Sequence, residues 1–106
     1  MDNPNLLTLM EMVQTRYPPA SKEYPHRQAL STDNRLSFLV NHSVLHMCKV
    51  IGSLSTECEA SDHGKELNSD ILRTAAAKML INSIKLAVDL DMTPDTLVNE
   101  LSRVMQ

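Results

Sequence analysis

A chain of 106 residues with 22% charged side chains and a net charge of −3 is the size of one domain. Its ten Lys and Arg are scattered, which gives no electrostatic footprint for nucleic acid, and no apolar run approaches the ~18 residues that a membrane-spanning helix needs. Two Gly residues exclude a Gly-rich phosphate loop, and the abundance of Leu, Met, Ala, Ser and Glu favours helices over strands.

The first segment, "NPNLLTLMEMVQTRY", places Asn3 as a cap and Pro4 at the first helical position. Leu6, Leu7, Leu9, Met10 and Val13 give it one broad apolar face, and Pro18 and Pro19 end it. Residues 18–32 carry three Pro and no sustained period, so they read as a loop that covers either the helices or a site.

The second segment is capped by Ser31 or Thr32 and runs past Cys58 without a Pro. Leu36, Val40, Val44, Met47, Ile51, Leu54 and Cys58 recur at threes and fours and predict its core face. A weaker apolar set, Phe38, Leu45 and Cys48, lies on another side. A helix with two apolar faces needs two covers, and in so short a chain the second cover is expected to be another subunit. Cys48 and Cys58 are ten apart, roughly 15 Å along a helix, too far for a bridge. Two free thiols and an N-terminus without a basic leader fit a cytoplasmic protein.

Residues 60–68, "ASDHGKELN", form a polar break in which Gly64 suits a left-handed backbone and Asp62 could close an Asx-turn. The third segment runs from Asn68 or Ser69 to Leu90. Leu72, Ala75, Ala76, Met79, Ser83, Leu86 and Leu90 form one apolar face, widened by Ala77, Leu80, Ile81, Ile84 and Val88, so the helix is expected to be mostly buried. Lys78, Asn82, Lys85 and Asp89 form its narrow polar edge. In the fourth segment Thr93 caps, Pro94 opens the helix, and Leu97, Val98, Leu101, Val104 and Met105 make an apolar seam. The expected fold is all-α: residues 1–106 as a single helical domain, with an N-terminal helix over 1–17, the loop, and a helical core over 33–106. Its helices form a four-helix antiparallel bundle completed by dimerisation.

The residues with the most chemistry lie in the second segment. His42, His46, Lys49, Ser53 and Glu57 step by four, three, four and four and share one helical stripe. Two readings stay open. His42 and His46 at i and i+4 could bind a transition metal, with Glu57, Asp62 and His63 completing the set. Lys49 on the same stripe opposes a cation, and no Glu follows the first His as the zinc-protease pattern requires. Alternatively His42, His46, Lys49 and Ser53, with Lys78 or Arg73 and with Asn82 from the third segment, could grip a phosphate or nucleotide.

Residues 31–104 resemble the MazG-like, all-α nucleoside triphosphate pyrophosphohydrolases. "KVIGSL" stands where that family has "EEVGEL", and "AAAKMLINSIKLAVDLDMTPDTLV" stands where it has its ExxD and closing helix pair. The resemblance implies a homodimer or higher homo-oligomer and Mg²⁺ as cofactor. The family's acidic positions fall here on Lys49, Val50 and Ser53, and on Ala75 and Lys78, which supply no carboxylate for a hard ion. The chain is therefore expected to keep the architecture, to have no catalytic residues of the family kind, and to bind a nucleotide, a phosphate or a protein partner. The alternatives are an active pyrophosphohydrolase with a rearranged metal site and a plain helical interaction module.

Overall fold

The computed structural model describes residues 5–18 and 32–106, and among them every regular element is a helix. They are α1 (Leu6–Arg16), α2 (Thr32–Asp62), α3 (Ser69–Asp89) and α4 (Pro94–Val104). No helix among the described residues is long and apolar enough to cross a membrane.

Local chemistry explains where the helices begin and end. Asn5 caps α1 by accepting the Thr8 backbone N–H at 2.9 Å; Asn3 and Pro4, the expected start, lie outside the described residues. Most of the 18–32 loop also lies outside them. The second helix runs on through Asp62, three residues into the expected break, so Asp62 belongs to the helix rather than to a turn after it. It stops at Gly64, where φ is +92°. There the Lys65 N–H reaches the Ala60 carbonyl at 3.1 Å and the Gly64 N–H reaches Ser61 at 3.0 Å, the paired bonds that close a helix through a left-handed residue. The same pairing recurs after α3, where Met92 bonds Ala87 and Asp91 bonds Val88, both at 3.0 Å, with Asp91 at φ 58° in the left-handed position. The Thr93 cap and Pro94 start of α4 are as expected, and Thr96 reciprocates to make a capping box.

Asn68 joins two elements. Its side chain accepts the Asp70 and Ile71 N–H groups at 3.0 and 3.2 Å and caps α3, while its own N–H donates to Glu57 Oε2 at 3.2 Å across the turn. Asn68→Ala is expected to cost about 1 kcal/mol of stability, read as a lower urea midpoint at unchanged slope.

The packing is centred on α3. It runs antiparallel beside α2, α1 packs across it, and α4 touches α1. Met10 and Val13 of α1 meet Ile84 of α3 in a small core, edged by Leu6, Leu9, Val88 and Leu97. Each such side chain removed from water contributes about 1.5–3 kcal/mol. The described residues thus form an all-helical, bundle-like arrangement of four helices, as expected, in which any direct contact between α2 and α4 is slight.

Three faces differ from expectation. In α2 the buried residues are Leu39, Ser43 and Val50, whereas Leu36, Val44, Ile51 and Cys58 of the expected core face are exposed. The polar stripe of α2 faces α3, while its apolar stripe is divided, with Val40, Met47 and Leu54 half-buried and the other members exposed. In α3 only Ala75, Ile84, Ala87 and Asp89 are buried, so the helix is less covered than its composition suggested. Most of the apolar seam of α4 is likewise exposed, with only Leu97 half-covered.

Candidate functional site

A cleft of about 1020 Å³ lies between α2 and α3 and is also lined by Arg16, Tyr17 and Pro18. That volume is at the upper end of small-molecule sites. Each wall is a helical stripe. On α2 it comprises His42, His46, Lys49, Ser53 and Glu57, with Ser43 and Val50 beneath; on α3 the polar members are Asp70, Thr74, Lys78, Asn82 and Lys85. Both stripes advance by threes and fours, so two antiparallel helices packed along them bring residues distant in sequence to one opening.

Of the expected ligand-binding residues, His42, His46, Lys49, Ser53, Lys78 and Asn82 line one cleft, and Arg73, the alternative to Lys78, does not. The same cleft is lined by the five positions at which the family resemblance places missing acids: Lys49, Val50, Ser53, Ala75 and Lys78. The sequence reading left out Arg16 and Lys85. Lys85 follows Lys78 by seven and was legible as the next step of its stripe. Arg16 comes from another helix, and no periodicity could have placed it there.

The cleft is cationic in a chain that is acidic overall. Four Lys and Arg side chains line it against two carboxylates, Glu57 and Asp70. Lys85 is held by Asp89, whose side chain is fully buried behind it. Arg16, Lys49 and Lys78 make no ion pair among the described residues, and the Arg16 guanidinium lies 5.8 Å from the centre of the Tyr17 ring. Glu57 already accepts the Asn68 N–H, and the Asn82 amide donates to the Lys78 carbonyl at 2.9 Å.

His42 and His46 interact directly. Their Nε2 atoms are 3.1 Å apart, one ring donating and the other accepting, and the rings meet edge to face at 4.4 Å. Phe38 stacks on His42 with centroids 6.1 Å apart.

The larger metal set does not assemble. Among the described residues no three of His, Cys, Asp and Glu come together to hold an ion. The reason is length: His42 and Glu57 are fifteen residues apart on one helix, about 22 Å. Asp62 and His63 lie beyond Glu57, exposed and outside the cleft. Nor do the residues fit Mg²⁺, since Lys49, Val50, Ser53, Ala75 and Lys78 offer no carboxylate, and Lys49 and Lys78 repel a cation.

No protein-family model matches this chain, and neither does any curated protein or solved structure.

Proposed function

We propose that this protein binds an anionic small molecule of nucleotide size, a nucleoside phosphate or a polyphosphate, in the α2–α3 cleft, and does not hydrolyse it by magnesium chemistry. The observation that carries this is the meeting of Arg16, Lys49, Lys78 and Lys85 with two imidazoles around one opening of about 1020 Å³ in a chain of net charge −3. Ammonium and guanidinium groups favour phosphate oxygens, and His, Ser and Asn supply directional donors. The apolar floor, with Val50, Ala75, Ile71 and Ile81, suits the flat face of a base.

The MazG-like resemblance adds to this reading. The positions it identifies on sequence alone come from two helices yet line one cleft. On this proposal the chain is a divergent relative in which fixed cations stand where the family holds a metal. A second copy of the chain is the proposed partner, because α2 and α4 leave Val44, Leu45, Ile51, Val98 and Leu101 exposed and a single chain buries few apolar side chains.

The test is the melting temperature of the full chain against inorganic phosphate, tripolyphosphate and nucleoside mono-, di- and triphosphates. A ligand at a hundred times its Kd stabilises by about 2.7 kcal/mol, a rise of several degrees. Lys49→Glu together with Lys78→Glu is expected to abolish that rise without lowering the melting temperature of the unliganded chain. No rise with any anion would leave the plain interaction module as the reading. Release of pyrophosphate with Mg²⁺ would restore the active hydrolase.

A further inference from the structure

The side-chain pair at His42 and His46 has geometry that anion binding does not require. We propose that the two imidazoles form a chelate for a single late first-row divalent ion of the Ni²⁺, Cu²⁺ or Zn²⁺ class, with its remaining coordination positions open to the cleft. It does not depend on the anion-binding reading, since the ion alone is the ligand.

Two imidazole nitrogens on one ion, each at about 2.0–2.1 Å, are roughly 2.9 Å apart at a right angle and about 3.4 Å apart at the tetrahedral angle. The Nε2 atoms of His42 and His46 are 3.1 Å apart, inside that interval. The helix fixes this separation: residues i and i+4 stack on one face, and both rings turn the same nitrogen toward a common point. The Phe38 ring stacked on His42 restrains one imidazole further. Little reorganisation is needed. The ring that donates through Nε2–H changes tautomer by proton exchange with water, so that each neutral ring carries its single proton on Nδ1 and both Nε2 lone pairs are available to the ion.

The ligand type selects the ion. Two neutral imidazoles suit the later first-row metals and offer nothing to Mg²⁺ or Ca²⁺. The cleft's charges act on the ion in opposite directions. Arg16, Lys49, Lys78 and Lys85 oppose it, with Lys49 next on the same stripe, and Glu57 and Asp70 favour it. With two protein ligands the ion is exchangeable and coordinatively open, so water or an anionic oxygen completes it.

Isothermal titration of the full chain with NiCl₂ in a non-chelating buffer tests this, with circular dichroism to confirm that each variant is helical. Saturation at one Ni²⁺ per chain is expected. Loss of even an outer-shell partner weakens metal sites by about 10–100-fold, so His42→Gln and His46→Gln should each cost more than ~10-fold in affinity. His63→Gln, outside the cleft, should bind like the parent chain, and Lys49→Gln, which removes the opposing charge, should bind more tightly. His46 is exposed, so its substitution leaves the packing intact and keeps the test decisive if His42→Gln unfolds. Equal affinity in His46→Gln and the parent chain overturns the proposal, as does no saturable binding by the parent at millimolar Ni²⁺. Failure of the phosphate panel leaves it standing.

Discussion

Lys85→Ala is expected to lower the stability of this protein by about 3–5 kcal/mol, far more than Asp89→Asn. The asymmetry follows from burial. The Asp89 side chain has no exposed surface, one of its oxygens is bound by Lys85, and the other has no hydrogen-bond partner among the described residues. Removing the ammonium strands a carboxylate out of water with nothing to compensate its charge. The reverse change is milder. Lys85 keeps 13% of its side-chain surface and lines the cleft, so without the Asp89 charge its ammonium still reaches solvent. An Asn at 89 removes one charge-assisted bond, a loss of about 1.5–3 kcal/mol at most. For a domain of this size the Lys85→Ala cost is a fall in melting temperature of at least ~12 °C. Urea denaturation of both single variants and the double variant measures the pair, and the double variant should be less destabilised than Lys85→Ala alone. Equal cost in the two single variants would show that the buried carboxylate does not depend on its lysine.

The pair also bears on the cleft. A lysine anchored at its base by a buried partner is held with fewer rotamers than one on a free surface, so its charge is preorganised toward whatever occupies the opening. Asp89 is therefore a positioning residue for Lys85, and it comes from what looked in the sequence like a narrow polar edge. Four polar side chains along an otherwise apolar helix ordinarily mark the solvent side. Here Lys78, Asn82 and Lys85 line the cleft shared with α2, and Asp89 is buried as the ion-pair partner of Lys85.

What the sequence disclosed was what single residues and one helical turn decide. The Thr93 cap, Pro94 at the helix start, Gly64 at the end of α2 and the turn at Asp91 are local chemistry, and their signals lie within a few residues. The stripe from His42 to Glu57 was legible because 3.6-residue geometry fixes which side chains share a face. Which face meets which neighbour is a tertiary matter. Leu36, Val44 and Ile51 carry the stronger periodicity, yet the chain turns them outward and buries Ser43 to 2% exposure. Apolar spacing marks faces that need cover without saying whether the same chain or a second one provides it. Arg16 was out of reach for the same reason, since its place in the cleft depends on how α1 crosses α3.

Ile84→Ala and Ile51→Ala separate those two kinds of cover. Ile84 is 5% exposed and packed against Met10 and Val13, so its truncation removes the contact that holds α1 on α3. A cost of about 2–5 kcal/mol is expected, independent of protein concentration. Ile51 has 53% of its surface exposed, and on an isolated chain its truncation should change stability by less than about 0.5 kcal/mol. If the outward face of α2 is covered by a second copy, folding and association are linked, and the cost of Ile51→Ala becomes larger and depends on concentration. Light scattering of the parent chain across a dilution series, beside melting curves of both variants, reads the two effects separately. A dimer that dissociates more readily with Ile51→Ala places the interface on α2. A monomer at every concentration, with Ile51→Ala silent, removes the second copy and leaves the Met10–Val13–Ile84 cluster as the hydrophobic core on which the isolated chain depends.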